Sequence, residues 1–150
     1  MKDAPDTPAG LKQRALRYLV RREHSRAELA RKLAPHAESQ EAVEALLDGL
    51  LSRKHLSDER FAEERARSLS RKYGAEKIRR DLRGKGVSDD IADRVSSGLN
   101  DLGRARIILQ KKFPSQGGKP EELARRARFL RGRGFSWEVI CRALGAEPEG

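Results

Sequence analysis

Cysteine is almost missing from this chain: Cys141 is the one thiol among 150 residues. No internal disulfide can form, and a reducing cytoplasm is the expected compartment. Histidine is nearly as scarce, and His24, His36 and His55 share no metal-ligand spacing with one another or with Cys141. No apolar run approaches the ~20 residues that a membrane span needs. A secretory leader is not expected, because Met1 to Gly10 is polar and holds Pro5 and Pro8. Aromatic residues make up only 5% of the chain, and a hydrophobic fraction of 37% supports a lean core.

Catalytic arrangements are missing too. No glycine-rich loop of the Walker type occurs. His24-Ser25 is not a nucleophile–base pair, because Ser25 is better placed to cap a helix. Asp89 and Asp93 at i, i+4 could touch a magnesium ion, but stabilisation of a helix N-terminus accounts for Asp89 and Asp90. Cys141, beside Ile140 in a short helix, reads as a small buried hydrophobe. No enzyme, metal or cofactor is expected.

What the chain does have is charge. Charged residues make up 37% of it, with 33 Lys+Arg against 23 Asp+Glu and a net charge of +10. Such an excess points to a polyanionic partner: nucleic acid, an acidic protein face or a membrane surface, the last being the weakest option. The excess is uneven. Residues 1–56 carry +3, residues 57–102 carry +1 and residues 103–150 carry +6.

It also has an internal repeat. Leu82-Arg83-Gly84-Lys85-Gly86-Val87-Ser88 returns as Leu130-Arg131-Gly132-Arg133-Gly134-Phe135-Ser136, offset by 48 residues. In each copy a leucine closes an amphipathic helix, and the first glycine is expected at the left-handed C′ position. The serine then caps a new helix with an acid in its first turn. A period of this length means tandem modules that stack on one another. No stretch alternates like a strand. The expected fold is all-α: three tandem three-helix repeats forming an elongated, curved array. A disordered tail over 1–10 precedes repeats at 11–56, 57–100 and 101–150. The clearest amphipathic stripe is Val43, Leu46, Leu47, Leu50 and Leu51.

A three-helix unit with a glycine turn also describes a helix-turn-helix DNA reader. Charge argues against direct base reading. The helix after the turn in module 2 carries Asp89, Asp90 and Asp93 against Arg94, and its counterpart in module 1 carries Glu41, Glu44 and Asp48. The basic helix is the middle one. Lys77, Arg79, Arg80, Arg83 and Lys85 belong to module 2. Arg125, Arg126, Arg128, Arg131 and Arg133 belong to module 3, helped by Lys111 and Lys112. These twelve residues are the candidate partner or nucleic-acid surface. In module 1, Arg26, Arg31 and Lys32 sit among acids and read as a solvated face. Phe129 and Trp137 could stack on bases, but aromatics at helical spacing more often belong to a core.

The ordered series Arg22-Glu23-His24-Ser25, Ala27-Glu28-Leu29, Leu56-Ser57-Asp58-Glu59-Arg60-Phe61-Ala62, Leu82-Arg83-Gly84-Lys85-Gly86-Val87 and Arg128-Phe129-Leu130-Arg131-Gly132-Arg133-Gly134-Phe135-Ser136 resembles the motifs of the RecX regulatory proteins. The likeness covers about Leu11 to Leu144, with Ala75 where that family often has proline and Lys54-His55 in place of Gly-Tyr. It implies three tandem three-helix repeats in a cytoplasmic bacterial protein that binds the RecA filament. It also implies inhibition of RecA's ATPase, strand exchange and coprotease activity, restraining recombination and the SOS response. A monomer is expected, with weak binding to single- or double-stranded DNA that ignores sequence. The competing reading is a helix-turn-helix-like nucleic-acid-binding protein that acts without RecA.

Overall fold

The middle helices of modules 2 and 3 end in the repeated glycine turn, and that turn organises the molecule. The computed structural model describes residues 4–115 and 117–145. Over these residues the chain is all-α, in three successive three-helix modules. Module 1 holds α1 (Pro8–Arg21), α2 (Arg26–Leu33) and α3 (Gln40–Ser52). Module 2 holds α4 (Asp58–Leu69), α5 (Ala75–Gly84) and α6 (Asp89–Ser97). Module 3 holds α7 (Asp101–Lys112), α8 (Pro120–Gly132) and α9 (Trp137–Ala143).

The turn differs from expectation in one respect. The helix runs through the first glycine, and the left-handed residue is the second: Gly86 has φ 86° and Gly134 φ 94°. Lys85 and Arg133 are therefore the C-caps. The N–H of Val87 donates to the Leu82 carbonyl and that of Gly86 to Arg83; Phe135 to Leu130 and Gly134 to Arg131 repeat the pattern. Both turns are Schellman motifs, in which the residue after the left-handed glycine packs back on the last turn. Val87 and Phe135 are accordingly buried beside Leu82 and Leu130.

Serine hydroxyls open α2, α3, α4, α6 and α9, each accepting a backbone N–H of the first turn. Each module buries its own apolar stripe. Leu29, Leu33, Leu47 and Leu50 centre the first core, Phe61, Ile78 and Leu82 the second, and Leu130, Phe135 and Ile140 the third. Full burial of such a side chain is worth roughly 1.5–3 kcal/mol, so each module has a modest hydrophobic core of its own.

The tail is a correction. Helix α1 begins at Pro8, within the segment expected to be disordered, because proline at the first helical position gives up only an N–H that has no helical partner. The Thr7 hydroxyl accepts the Gly10 N–H at 3.1 Å, the Asp6 carboxylate accepts from Arg14 at 2.7 Å, and the Asp6 N–H donates to the His36 carbonyl. Met1 to Asp3 lie outside the described residues. Trp137 is 63% exposed rather than part of a core, and Cys141 is half-buried rather than sealed.

The modules join through a repeated junction. At the first, the Ser25 hydroxyl donates to the Lys85 carbonyl at 2.6 Å, and the Arg26 N–H donates to Asp58 Oδ1 at 2.7 Å. At the second, the Gly74 N–H donates to the Arg133 carbonyl at 2.7 Å, and the Ala75 N–H donates to Asp101 Oδ2 at 3.0 Å. In both, the residue that caps a middle helix donates to the next module's glycine turn, through its hydroxyl at Ser25 and its N–H at Gly74. The first N–H of the helix is satisfied by an acid opening that module's first helix. The approach is close. A Cβ on Gly86 would lie 2.4 Å from Ala27 Cβ, and one on Gly134 would lie 2.4 Å from Lys77 Cβ.

Candidate polyanion interface

Helix α5 buries Ile78 and Leu82 and leaves Lys77, Arg79, Arg80 and Arg83 exposed. Two of these four are neutralised at home. Arg79 pairs with Asp93 at 3.6 Å and Arg83 with Asp89 at 2.8 Å, both acids lying on α6. Lys85 is half-buried at the turn, where its carbonyl serves the first junction.

Helix α8 is different. Arg125, Arg128 and Arg131 are exposed, as are Lys111 and Lys112 at the end of α7, while Arg126 and Arg133 are half-buried. None of these seven forms an ion pair among the described residues. The acid in the first turn of α9, Glu138, pairs instead with Arg142.

Four of the sequence candidates converge on a set of rings. The Arg133 guanidinium lies 5.0 Å from the centre of Phe129 and 5.6 Å from that of Tyr73. Lys77 Nζ sits 4.6 Å from the Tyr73 centre and 3.4 Å from the Gly132 carbonyl. Lys112 Nζ lies 5.9 Å from Phe129, and Arg126 stands 5.2 Å from Phe113 while donating to the Ser115 carbonyl. Phe113 meets Phe129 edge to face at 5.6 Å. A cation over an aromatic face is attracted by the ring quadrupole, so these four side chains are held in place. Arg125, Arg128, Arg131, Lys111, Arg79, Arg80 and Arg83 have no such ring contact among the described residues.

Sequence reasoning missed the residues that build this face. Tyr73 packs against the second core, as its spacing suggests, but its contacts with cations from two modules have no sequence signal. Asp58, by sequence a first-turn acid, and Asp101, by sequence only the start of the last module, both reach across a junction. Arg104 gave no sequence signal. It pairs with Asp101, donates to the Ser70 and Tyr73 carbonyls and lies 5.7 Å from Phe135, bracing the second junction.

Module 1 shows the opposite electrostatics. A cleft of about 220 Å³ at the first junction is lined by Arg22, Glu28, Glu64, Arg65 and Lys85. Three of these charges are paired. Arg22 bonds both Glu28 oxygens at 2.8–2.9 Å and holds that carboxyl below its usual range, and Asp81 bonds Arg65 twice and raises its pKa. His24 is 1% exposed. Its Nδ1 contacts the Arg22 carbonyl at 3.0 Å and its Nε2 contacts Lys32 Nζ at 2.9 Å. A carbonyl only accepts and an ammonium only donates, so the ring is neutral with its proton on Nδ1. Burial is the main cause that lowers the His24 pKa; the Arg22 carbonyl opposes it, and the charges of Arg22 and Lys32 add to it. Among the described residues no cluster of three or more His, Cys, Asp or Glu side chains is placed to hold a metal ion, and no helix is long and apolar enough to cross a membrane.

The three-module layout has counterparts among known proteins. Family models match it piece by piece: the RecX first three-helix domain over residues 12–50, the second over 57–95 and the third over 100–144. "Regulatory protein RecX" of Ralstonia nicotianae is 42% identical over 142 residues, covering 93% of this chain and 89% of the relative. This chain belongs to the RecX family. The same-named protein of Chromohalobacter salexigens is 43% identical over 133 residues, covering 87% and 88%. The crystal structure of RecX from Lactobacillus salivarius superposes with a TM-score of 0.82 over 92% of this chain and 94% of that one, at 19% identity. At that identity the likeness is one of fold. These relatives are named as regulators, not as enzymes, and each RecX domain matched here corresponds to one of the three cores.

Proposed function

We propose that this RecX-family protein binds the RecA nucleoprotein filament in the bacterial cytoplasm and inhibits RecA's ATPase, strand exchange and coprotease activities. Recombination and the SOS response are restrained as a result. The observation that carries this reading is the ordered match of all three RecX domains along the chain. The geometry supports it. Three joined modules present a row of contacts, and a filament presents a row of identical subunits, so several weak contacts act together. The α8 arginines supply charge that is free to meet an acidic filament surface and bound DNA, speeding encounter. The protein acts as a monomer: Pro120 at the first position of α8 has no N–H with which to build another junction of the kind made by Arg26 and Ala75.

Purified protein added to its cognate RecA on single-stranded DNA should suppress ATP hydrolysis at substoichiometric or near-equal ratios, with no nucleotide hydrolysis of its own. Unchanged RecA turnover at saturating protein would overturn the reading. The second reading, a nucleic-acid-binding repeat protein that works without RecA, is favoured by the unpaired bases of α8 alone. The acids of α3 and α6 limit it to weak, sequence-indifferent binding. A salt-resistant preference of roughly a thousandfold for one duplex would overturn that limit.

A further inference from the structure

We propose that Lys77, Lys112, Arg126 and Arg133 form one track for the phosphodiester backbone of a nucleic acid, laid across the junction of modules 2 and 3 and backed by Tyr73, Phe113 and Phe129. The rings tie the four cations together. Lys77 and Arg133 share Tyr73, Arg133 and Lys112 share Phe129, and Arg126 sits on Phe113, which meets Phe129 edge to face. The contacts cross the module boundary, so the track exists only when the junction is formed.

Three features select a phosphodiester chain as the occupant. First, none of the four cations has an acidic partner among the described residues, whereas Arg79 and Arg83 on the same helix as Lys77 both do. Second, the ring contacts already restrict the side chains, so less rotamer freedom is lost when an anion binds. Third, the rings gather four like charges, while the centre of a protein interface is depleted of charge. A repeating anion answers such a set; an isolated carboxylate answers one member of it. Lys77 and Arg133 both lie against Tyr73, so a base would have to displace a cation to stack there, and the track reads backbone alone. Arg80 borders the same hollow of about 390 Å³ as Tyr73 and Lys77 and extends the track towards module 2.

The proposal stands apart from the RecA reading, because its test contains no RecA. A labelled thymidine oligonucleotide, an abasic strand of equal length and a duplex are titrated with the full-length protein by fluorescence anisotropy across a series of salt concentrations. The abasic strand should bind within about threefold of the thymidine strand. Two double variants, Lys77→Gln with Arg133→Gln and Lys112→Gln with Arg126→Gln, should weaken binding and flatten the single-strand log K versus log salt slope by about 0.7 per cation removed. The exposed pair Lys77→Gln with Lys112→Gln guards against a folding artefact, and each melting curve is recorded. Arg79→Gln with Arg83→Gln removes the same charge from the paired positions and should change the slope much less. The duplex arm decides whether double strands use the same track: the ladder variants should lose affinity for any form that does. Slopes unchanged in all ladder variants, or lowered as much by Arg79→Gln with Arg83→Gln, would overturn the proposal. So would tighter ladder-dependent binding of a polyglutamate peptide than of the oligonucleotide at equal salt.

Discussion

Helices α5 and α8 end in the same repeated turn, close with the same Schellman motif and carry four bases each, yet two of the four on α5 are paired with acids and none of the four on α8 is, among the described residues. The difference lies in the helix that follows. Helix α6 brings Asp89 and Asp93 back against Arg83 and Arg79, while α9 brings Glu138, which pairs with its own Arg142. Two or three residues on the neighbouring helix thus decide how many cations of one structural unit stay free. The composition of a middle helix does not reveal that number; the helix packed on it must be read as well.

The strongest test of that contrast is charge reversal on the free helix. Arg126→Glu with Arg131→Glu and Arg133→Glu should abolish inhibition of RecA ATPase while helical content stays near wild type; the variant also loses the ring contacts of Arg126 and Arg133, so its melting temperature is recorded with it. Reversal at Arg26 and Lys32 of module 1 should do much less to inhibition. That second variant also breaks the Arg26–Asp48 pair and the Lys32–His24 contact, so its melting temperature is read alongside. Full inhibition by the folded module-3 variant would move the interface elsewhere.

The contrast presumes that the two turns are equivalent, and the glycines check it. Gly134→Ala places a Cβ on Lys77 and forces alanine into a left-handed backbone, which should cost about 1–3 kcal/mol and loosen the second junction. Gly86→Ala should cost a similar amount at the first junction, against Ala27. The first glycines behave oppositely: Gly84 and Gly132 are helical with open space around them, so Gly84→Ala should be neutral or stabilise by roughly 0.5–1 kcal/mol. Denaturant midpoints would measure all three. A stable Gly134→Ala protein beside a destabilised Gly84→Ala one would reverse the assignment of the turn.

These glycines also show how far the sequence can be read. The repeat, the three-module all-α plan and the middle-helix bases were legible, because turn chemistry, caps and apolar spacing are local signals. Which glycine goes left-handed was not, since both stand in the motif and the hydrogen-bond register alone separates them. Pro8 read as a breaker because its helix-opening role depends on Asp6 and Thr7 docking around it. The ring-backed ladder was invisible for a deeper reason: Tyr73 and Arg133 belong to different modules, and only the junction brings them together. Asp58 hid behind the standard account of acids at helix starts.

Removing the mask from α5 should make it behave like α8. Asp89→Asn with Asp93→Asn releases Arg83 and Arg79 without touching a core residue. Exposed pairs of this kind are worth only about 0–1 kcal/mol each, so folding should hardly change. Affinity for single-stranded oligonucleotide should rise several-fold, with the salt slope steeper by about 0.7 for each cation released. A variant that binds no better, at an unchanged slope, would show that position rather than pairing separates the two helices.

The smallest effect sets module 1 against the other two. All three histidines lie within residues 1–56, and His24 is the one buried, held neutral between the Arg22 carbonyl and the Lys32 ammonium. Its pKa in the folded protein lies below the ordinary 6.5, with burial the main cause. The unfolded chain takes up the proton first as pH falls, so it gains stability relative to the folded state. His24 therefore leaves stability flat above about pH 6.5 and erodes it below, by at most about 1.4 kcal/mol per pH unit, until the folded pKa is reached. Asp6 works in a lower window. Its carboxyl is held below 3.8, chiefly by the Arg14 hydrogen bond, so its contribution is complete above that value and is lost only in stronger acid. Melting between pH 7 and pH 5 should thus report His24, and His24→Gln should flatten the profile. Hydrogen exchange at pH 5 should quicken first in α1 and α2, with α5 and α8 protected as before. A pH dependence that persists in His24→Gln, or faster exchange in α8 than in α2, would place the acid-sensitive group outside module 1.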